Sequence, residues 1–274
     1  MKRFALVISV LVFSCVASAQ TLTLLHMNDT HSHIDPERGG DHKGMGGVIE
    51  QAAYVDSVRL ADGKRNVLLL HAGDFSQGTS YFTELNGDME IDVLEAMGFD
   101  AVCLGNHEFD NGMDELARRL GNLSLPVLCA NYDFSGTSLE KLVRPYVILK
   151  KAGYRIGIIG LMPDVTHVVS REIAVRMKFL NPVEVTDRYA AMLKHERKCD
   201  LVICLSHLGF DCKDYSDLSL AASVRNIDVI VGGHTHTFLE RPSVVRNPDG
   251  NDVIVVTAGS WGHHIGNLKI YGDN

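Results

Sequence analysis

Short apolar runs recur along this chain, and nothing else in it restricts the fold as tightly. Residues 21–27, 67–72, 100–104, 126–130, 200–205 and 228–231 are mostly hydrophobic at odd and even positions alike. A strand with one wet face alternates, whereas a continuous run suits a strand buried on both faces, as in a mainly parallel sheet covered by helices. Helical stretches are predicted between the runs, one opened by Met45-Gly46-Gly47 and running through Arg59, one near 89–97 and one at 113–120. This alternation predicts an α/β fold.

Around residue 142 the pattern changes. Residues 143–149 and 155–161, separated by Lys150-Lys151-Ala152-Gly153-Tyr154, read as a hairpin that starts a second sheet. A helix is predicted over 182–198, opened by Pro182 and given one apolar face by Val185, Tyr189, Met192 and Leu193, and another over 217–225. Residues 252–257 and 266–271 read as closing strands. With no repeat, low-complexity run or linker, a single domain over 20–274 is expected.

Residues 1–19 read differently. Lys2 and Arg3 precede an apolar run over 4–16, and Ala17-Ser18-Ala19 ahead of Gln20 has the small-x-small form of a signal-peptidase site. A signal peptide and an exported protein, periplasmic or extracellular, are expected. Acylation of Cys15 to make a lipoprotein is the weaker reading, because Phe13 is bulky for such a site. No later stretch approaches the roughly 18 apolar residues of a membrane span, so no transmembrane segment is expected after cleavage.

The formal charge is -8 and becomes more negative when Lys2 and Arg3 leave with the leader. Such a surface does not neutralise a phosphate backbone, so nucleic-acid binding is not expected. Any phosphate chemistry needs a locally positive site. Cys103, Cys129, Cys199, Cys204 and Cys212 remain after cleavage, an odd number with several in apolar runs. Buried free thiols are the default reading, with a bridge involving Cys199, Cys204 or Cys212 left open.

The apolar runs end alike. Their carboxyl ends deliver Asp29 and His31, Asp74, Asn106 and His107, His207, and His234 and His236. Singly, each has an ordinary explanation as a turn, cap or surface residue. Jointly, they supply enough nitrogen and oxygen ligands for two divalent ions, at the end of a sheet where ligands collect. If strand geometry persists past Met27, Asp29 and His31 point to one side and can share an ion. Asp74 suits a bridge between ions about 3.5–4 Å apart, one carboxylate oxygen serving each. Two dications outweigh two carboxylates, and the positive charge left over matches a phosphate monoester dianion. Mixed imidazole, carboxylate and amide ligands suit Zn, Mn, Fe or Co better than Ca.

In order and spacing, Asp29-x-His31, Gly73-Asp74, Gly105-Asn106-His107-Glu108, His207 and Gly233-His234-Thr235-His236 resemble the motifs of the calcineurin-like metallophosphoesterases. The run Asn106-His107-Glu108-Phe109-Asp110 and the closing Ala258-Gly259-Ser260 resemble, more narrowly, the catalytic domain of bacterial secreted 5'-nucleotidases. The resemblance covers nearly all of the mature chain. It implies a four-layer α-β-β-α sandwich of two mixed sheets, with metals at the carboxyl ends of the strands. It also implies that Asp29, His31, Asp74 and His236 hold one ion while Asp74, Asn106, His207 and His234 hold the other.

Besides the ligand Asn106, the catalytic residues it implies are His107, which contacts the phosphate and stabilises or protonates the leaving alkoxide, and Asp110, which orients the His107 ring. Glu108, His26, His33, His71, His263 and His264 gain no such role and are expected to be structural. The implied activity is hydrolysis of phosphate monoesters, nucleoside 5'-monophosphates first, by metal-activated water. The alternatives are a 2',3'-cyclic-nucleotide or other small-phosphoester hydrolase, and a non-catalytic metal-binding subunit of a split nucleotidase. Nucleotidases of this type usually continue into a carboxyl-terminal nucleotide-binding domain, which is absent from this sequence. Either a separate partner chain supplies that part, or the pocket is less selective.

Overall fold

The structure, a computed structural model, describes residues 21–166 and 169–272. The expected leader, Cys15 included, lies outside the described residues. In chain order the strands are β1 (Thr21–Met27), β2 (Val67–His71), β3 (Ala101–Cys103), β4 (Val127–Leu128), β5 (Tyr132–Asp133), β6 (Val143–Arg144) and β7 (Tyr146–Lys151). They continue with β8 (Tyr154–Leu161), β9 (Lys178–Phe179), β10 (Leu201–Ser206), β11 (Val229–Val231), β12 (Ser243–Arg246), β13 (Asp252–Val256) and β14 (Gly266–Tyr271). The helices are α1 (Val48–Asp62), α2 (Ser80–Leu85), α3 (Asp88–Met97), α4 (Met113–Leu120), α5 (Arg171–Ala174), α6 (Pro182–Ala191) and α7 (Asp217–Ser223).

Two six-stranded sheets carry the fold, ordered β14-β1-β2-β3-β4-β6 and β12-β13-β11-β10-β8-β7. The first is parallel from β1 through β6 with β14 antiparallel at one edge, and the second is parallel in its middle with β12 and β7 antiparallel at its two edges. The continuous apolar runs make sense in this setting, because the period-two alternation of a strand splits each run between two cores. Leu22 and Leu24 of β1, Leu68 and Leu70 of β2, and Ile156, Ile158, Ile203 and Leu205 of the other sheet form the layer between the sheets. The intervening residues Leu25, Met27 and Leu69 pack with Val55, Ile91, Leu94 and Leu116 from α1, α3 and α4. On the far side, Ile159, Leu161, Val202 and Cys204 pack with Val185, Ala190, Leu220 and Ala221 of α6 and α7. The result is the expected sandwich of helices, two mixed sheets and helices.

The two sheets touch backbone to backbone beside β4 and β8. The Ala130 N–H donates to the Gly160 carbonyl at 2.7 Å, linking the backbones of the two layers directly. A Cβ placed on Gly160 would sit 2.5 Å from the Leu128 carbonyl oxygen, so only glycine fits. Gly160→Ala is therefore expected to cost about 1–3 kcal/mol by overpacking. A fall in the denaturant midpoint would show it, and an unchanged midpoint would mean that the layers part there freely.

Several expected elements need correction. The predicted strand 143–149 is two strands in different sheets: Val143–Arg144 pairs with β4, and Tyr146–Lys151 pairs with β8. Pro145 lies at the crossing, where it has no N–H to offer either ladder. The helix predicted over 182–198 stops at Ala191 and gives way to a wider π-type turn over Met192–Glu196. Helix α2, the pair β5 and β9, α5 and the edge strand β12 were not anticipated. Cys103, Cys129, Cys199, Cys204 and Cys212 are all free thiols. Among the described residues no helix is long and apolar enough to cross a membrane.

Candidate active site

Strands β1, β2 and β3 of one sheet and β11 of the other open their carboxyl ends onto one cavity, and His207, at the end of β10, is buried beside Asp74. Its volume is about 430 Å³, and Asp74, Asn106, His107, His234 and His236 line it together with His31, His33, Gln77, Gly78 and Trp261. A larger cavity of about 600 Å³ lies elsewhere, against His26, Tyr54 and Phe238, and contains none of the strand-end residues that supply potential ligands.

Extended geometry does not persist past Met27, contrary to expectation. Asp29 and His31 adopt positive φ values of 49° and 47°, as do Asp74 at 53°, His234 at 73° and His236 at 53°. Such left-handed conformations cost non-glycine residues on the order of 1–3 kcal/mol each, and surrounding structure must impose them. Here the loops hold one another. The N–H groups of Asp29 and His31 donate to the carbonyls of Gly73 and Asp74 at 3.0 and 3.1 Å, and the His234 N–H donates to Asp29 Oδ2 at 2.9 Å. Asn28 adds to this, donating to Asp29 Oδ2 at 2.7 Å and accepting the Ala258 N–H at 2.8 Å.

These turns gather two groups of side chains, Asp29 with His31 and His236, and Asp74 with His207 and His234; within each group the ligand atoms lie within 4.8 Å of one another. The carboxylates stand between the groups. Asp74 Oδ2 is 2.9 Å from His207 Nε2 and 4.0 Å from His31 Nε2, while Asp29 Oδ1 is 3.4 Å from His236 Nε2 and 3.8 Å from His207 Nε2. Donor chemistry fits divalent cations. The Nε2 atoms of His31 and His236 face each other at 3.0 Å, and the buried Asn106 Oδ1 has no hydrogen-bond partner. His207 Nδ1 lies 2.6 Å from the Ala72 carbonyl, which can only accept. Nδ1 therefore carries the proton, and Nε2 turns its lone pair toward the carboxylates whenever the ring is neutral.

The electrostatics are those of a crowded buried cluster. Burial opposes charge on His207, but the Asp74 and Asp29 carboxylates beside it push its pKa up to about 10. Burial is the largest single influence on Asp29 and Asp74 and acts to raise them, but both are held below the usual carboxylate range, because the pull of His207 is joined by hydrogen bonds from His236 and Asn28 at Asp29, and by His31 and the His107 N–H at Asp74. His31 and His234 are lowered, chiefly by burial.

His107 stands apart from both groups. Its Nδ1 pairs with Asp110 Oδ2 at 2.8 Å, and that hydrogen bond raises its pKa above the ordinary imidazole value. Its ring lies edge-on to His31 with centroids 5.3 Å apart.

The sequence profile of the calcineurin-like phosphoesterases matches residues 22–238. The chain belongs to that family. It is 35% identical over 272 residues to a probable 5'-nucleotidase of Treponema pallidum, covering 92% of this chain and 45% of the relative. It is 34% identical to the 5'-nucleotidase of Homo sapiens, with 93% and 47% covered. Among solved structures, a 5'-nucleotidase precursor from Thermus thermophilus superimposes with a TM-score of 0.84 at 37% identity, over 92% of this chain and 52% of that one. The chain thus spans about half the length of the relatives it matches. Members of this family are metal-dependent phosphoester hydrolases.

Around these strand-end residues, the other histidines and Glu108 have structural surroundings. The Glu108 carboxylate is buried and accepts the N–H groups of Gly105, Asp74 and Ser76 at 2.5, 3.0 and 3.1 Å, which pins the two turns together. Burial, with Asp74 nearby, pushes its pKa up to about 7. His71 is buried against Thr30 at 3.0 Å with its pKa lowered to about 3, and burial lowers His26 to about 4. His33 and His263 both approach Glu37 Oε1, at 2.9 and 3.5 Å, and His264 stacks on Phe238 with centroids 4.1 Å apart. Among the residues at the site that the sequence does not single out are Gln77, Gly78, Asn28 and Trp261. Asn28 carried the signal of an amide beside Asp29 at a strand end, and Trp261 that of the chain's one tryptophan, set in the glycine-containing run Gly259-Ser260-Trp261-Gly262.

Proposed function

We propose that this chain hydrolyses small phosphate monoesters, nucleoside 5'-monophosphates among them, using two divalent cations. Asp29, His31, Asp74 and His236 would hold one, and Asp74, Asn106, His207 and His234 the other. The observation that carries this reading is the placement of both carboxylates between two histidine groups, with His107 on the same cavity but in neither group. Relatives described as 5'-nucleotidases support the choice of ester. Such a pair of cations supplies Lewis acidity for the phosphoryl oxygens and acidifies water for in-line attack.

The chain's own groups do the rest. Asp29 and Asp74 fix the spacing of the histidine groups, and the Ala72 carbonyl keeps the His207 ring in its working tautomer. Asp110 holds His107 by Nδ1, which leaves Nε2 to donate a proton to the departing ester oxygen. Turnover of p-nitrophenyl phosphate and adenosine 5'-monophosphate, lost with EDTA and restored by Mn²⁺ or Zn²⁺, is the expected result. Turnover indifferent to EDTA would overturn the two-cation reading, and turnover absent with every metal added would overturn the proposal in favour of a binding subunit.

Export is proposed with it, on the strength of Lys2, Arg3 and the Ala17-Ser18-Ala19 site. Amino-terminal sequencing of protein recovered outside the cytoplasm should begin at Gln20, and a retained Met1 would contradict the leader.

A further inference from the structure

Trp261 is the one tryptophan among the 274 residues; the residue is 39% exposed and lines the cavity that also holds Asp74, Asn106 and His107. A lone exposed aromatic is ordinary. This one is held in place. Its backbone is left-handed, with φ 59°, a conformation that bulky residues rarely take, and its N–H donates to the Asp29 carbonyl at 2.6 Å. The His33 ring stacks on it with centroids 5.2 Å apart and planes 14° from parallel, and His33 is itself anchored to Glu37 at 2.9 Å. His263 and His236 meet it steeply, at 81° and 71°, with centroids 5.6 and 6.5 Å away. A backbone strained into place and a ring backed by an anchored second ring make a rigid flat surface within one cavity width of the reacting centre.

We infer that Trp261 is the platform against which the leaving group lies, and that the site favours phosphate monoesters whose leaving group carries a flat aromatic ring. The inference rests on the phosphomonoesterase reading and names the part of the substrate that this chain recognises. Indole faces stack on nucleobases with little regard to their hydrogen-bonding edges, so the platform selects a base from no base rather than one base from another. His33 and Glu37 act through Trp261 as positioning residues.

The test compares adenosine 5'-monophosphate with ribose 5-phosphate, which share the phosphate and sugar and differ in the base. In Trp261→Ala the ratio of their kcat/KM values is expected to fall about tenfold, mainly through KM for the nucleotide, while Trp261→Phe keeps most of the ratio. A ratio unchanged within about twofold in Trp261→Ala, or lost equally in both variants, would overturn the inference. A second readout needs no turnover. Because the chain has one tryptophan, adenosine titrated into the wild-type protein should quench its emission, whereas ribose at equal concentration should not. Quenching in a chain that hydrolyses neither ester would support the platform while counting against the phosphomonoesterase reading. Absence of quenching would overturn the platform itself.

Discussion

Replacing Asp74 with alanine should leave no more than one tightly held cation per chain and lower turnover on the order of 1,000-fold. Asp74 Oδ2 lies between His207 Nε2 and His31 Nε2, and among the described residues no other carboxylate lies as close to His207. Its removal would take away the carboxylate that would serve both ions and leave Asp29 alone to balance the histidines. Lewis-acid stabilisation of a phosphoryl group is worth several kcal/mol, and about 1.4 kcal/mol corresponds to each tenfold in rate. The backbone of the loop should survive, since the Asp74 N–H and carbonyl are bonded to Glu108 and to the His31 N–H irrespective of the side chain. Metal analysis beside a circular-dichroism melt separates these effects. Two ions still bound at full occupancy would contradict the bridging role.

His107→Ala should behave in the opposite way, keeping both ions while turnover of adenosine 5'-monophosphate falls about 100-fold, the usual loss for a general acid. The ring belongs to neither group of ligand side chains, and its Nδ1 is committed to Asp110. The leaving group supplies an internal control. An alkoxide must be protonated as it departs, whereas p-nitrophenolate leaves without a proton, so the same variant should lose much less activity on p-nitrophenyl phosphate. Equal losses on both esters would make His107 a phosphate contact only. Loss of metal would remove it from the catalytic group altogether.

The parts of this fold that were legible in the sequence are those decided by local burial. Runs such as Val67–His71 and Leu201–Ser206 are hydrophobic at every position or nearly so because helices cover one face and the second sheet covers the other. Short elements fixed from outside were not legible. Val143–Arg144 is a strand only because β4 lies beside it, and Ser243–Arg246 alternates between half-buried and exposed as an edge strand does. At the site, the strand ends pointed to Asp29, His31, Asp74, His207, His234 and His236, and folding brings all of them together. Extended backbone was expected from Asp29 to His31, and left-handed turns imposed by hydrogen bonds from a neighbouring loop stand there instead. No pattern in one segment can announce a constraint that arrives from another. Trp261 escaped notice for the same reason, since its link to the site is a hydrogen bond to Asp29 from far along the chain.

Anomalous diffraction from crystals loaded with Mn²⁺ or Zn²⁺ tests the central claim most directly. Two peaks about 3.5–4 Å apart are expected, with Asp74 reaching both, His31 and His236 on one, and His207 and His234 on the other. A single peak, or two too far apart for one carboxylate to bridge, would contradict the two-cation site.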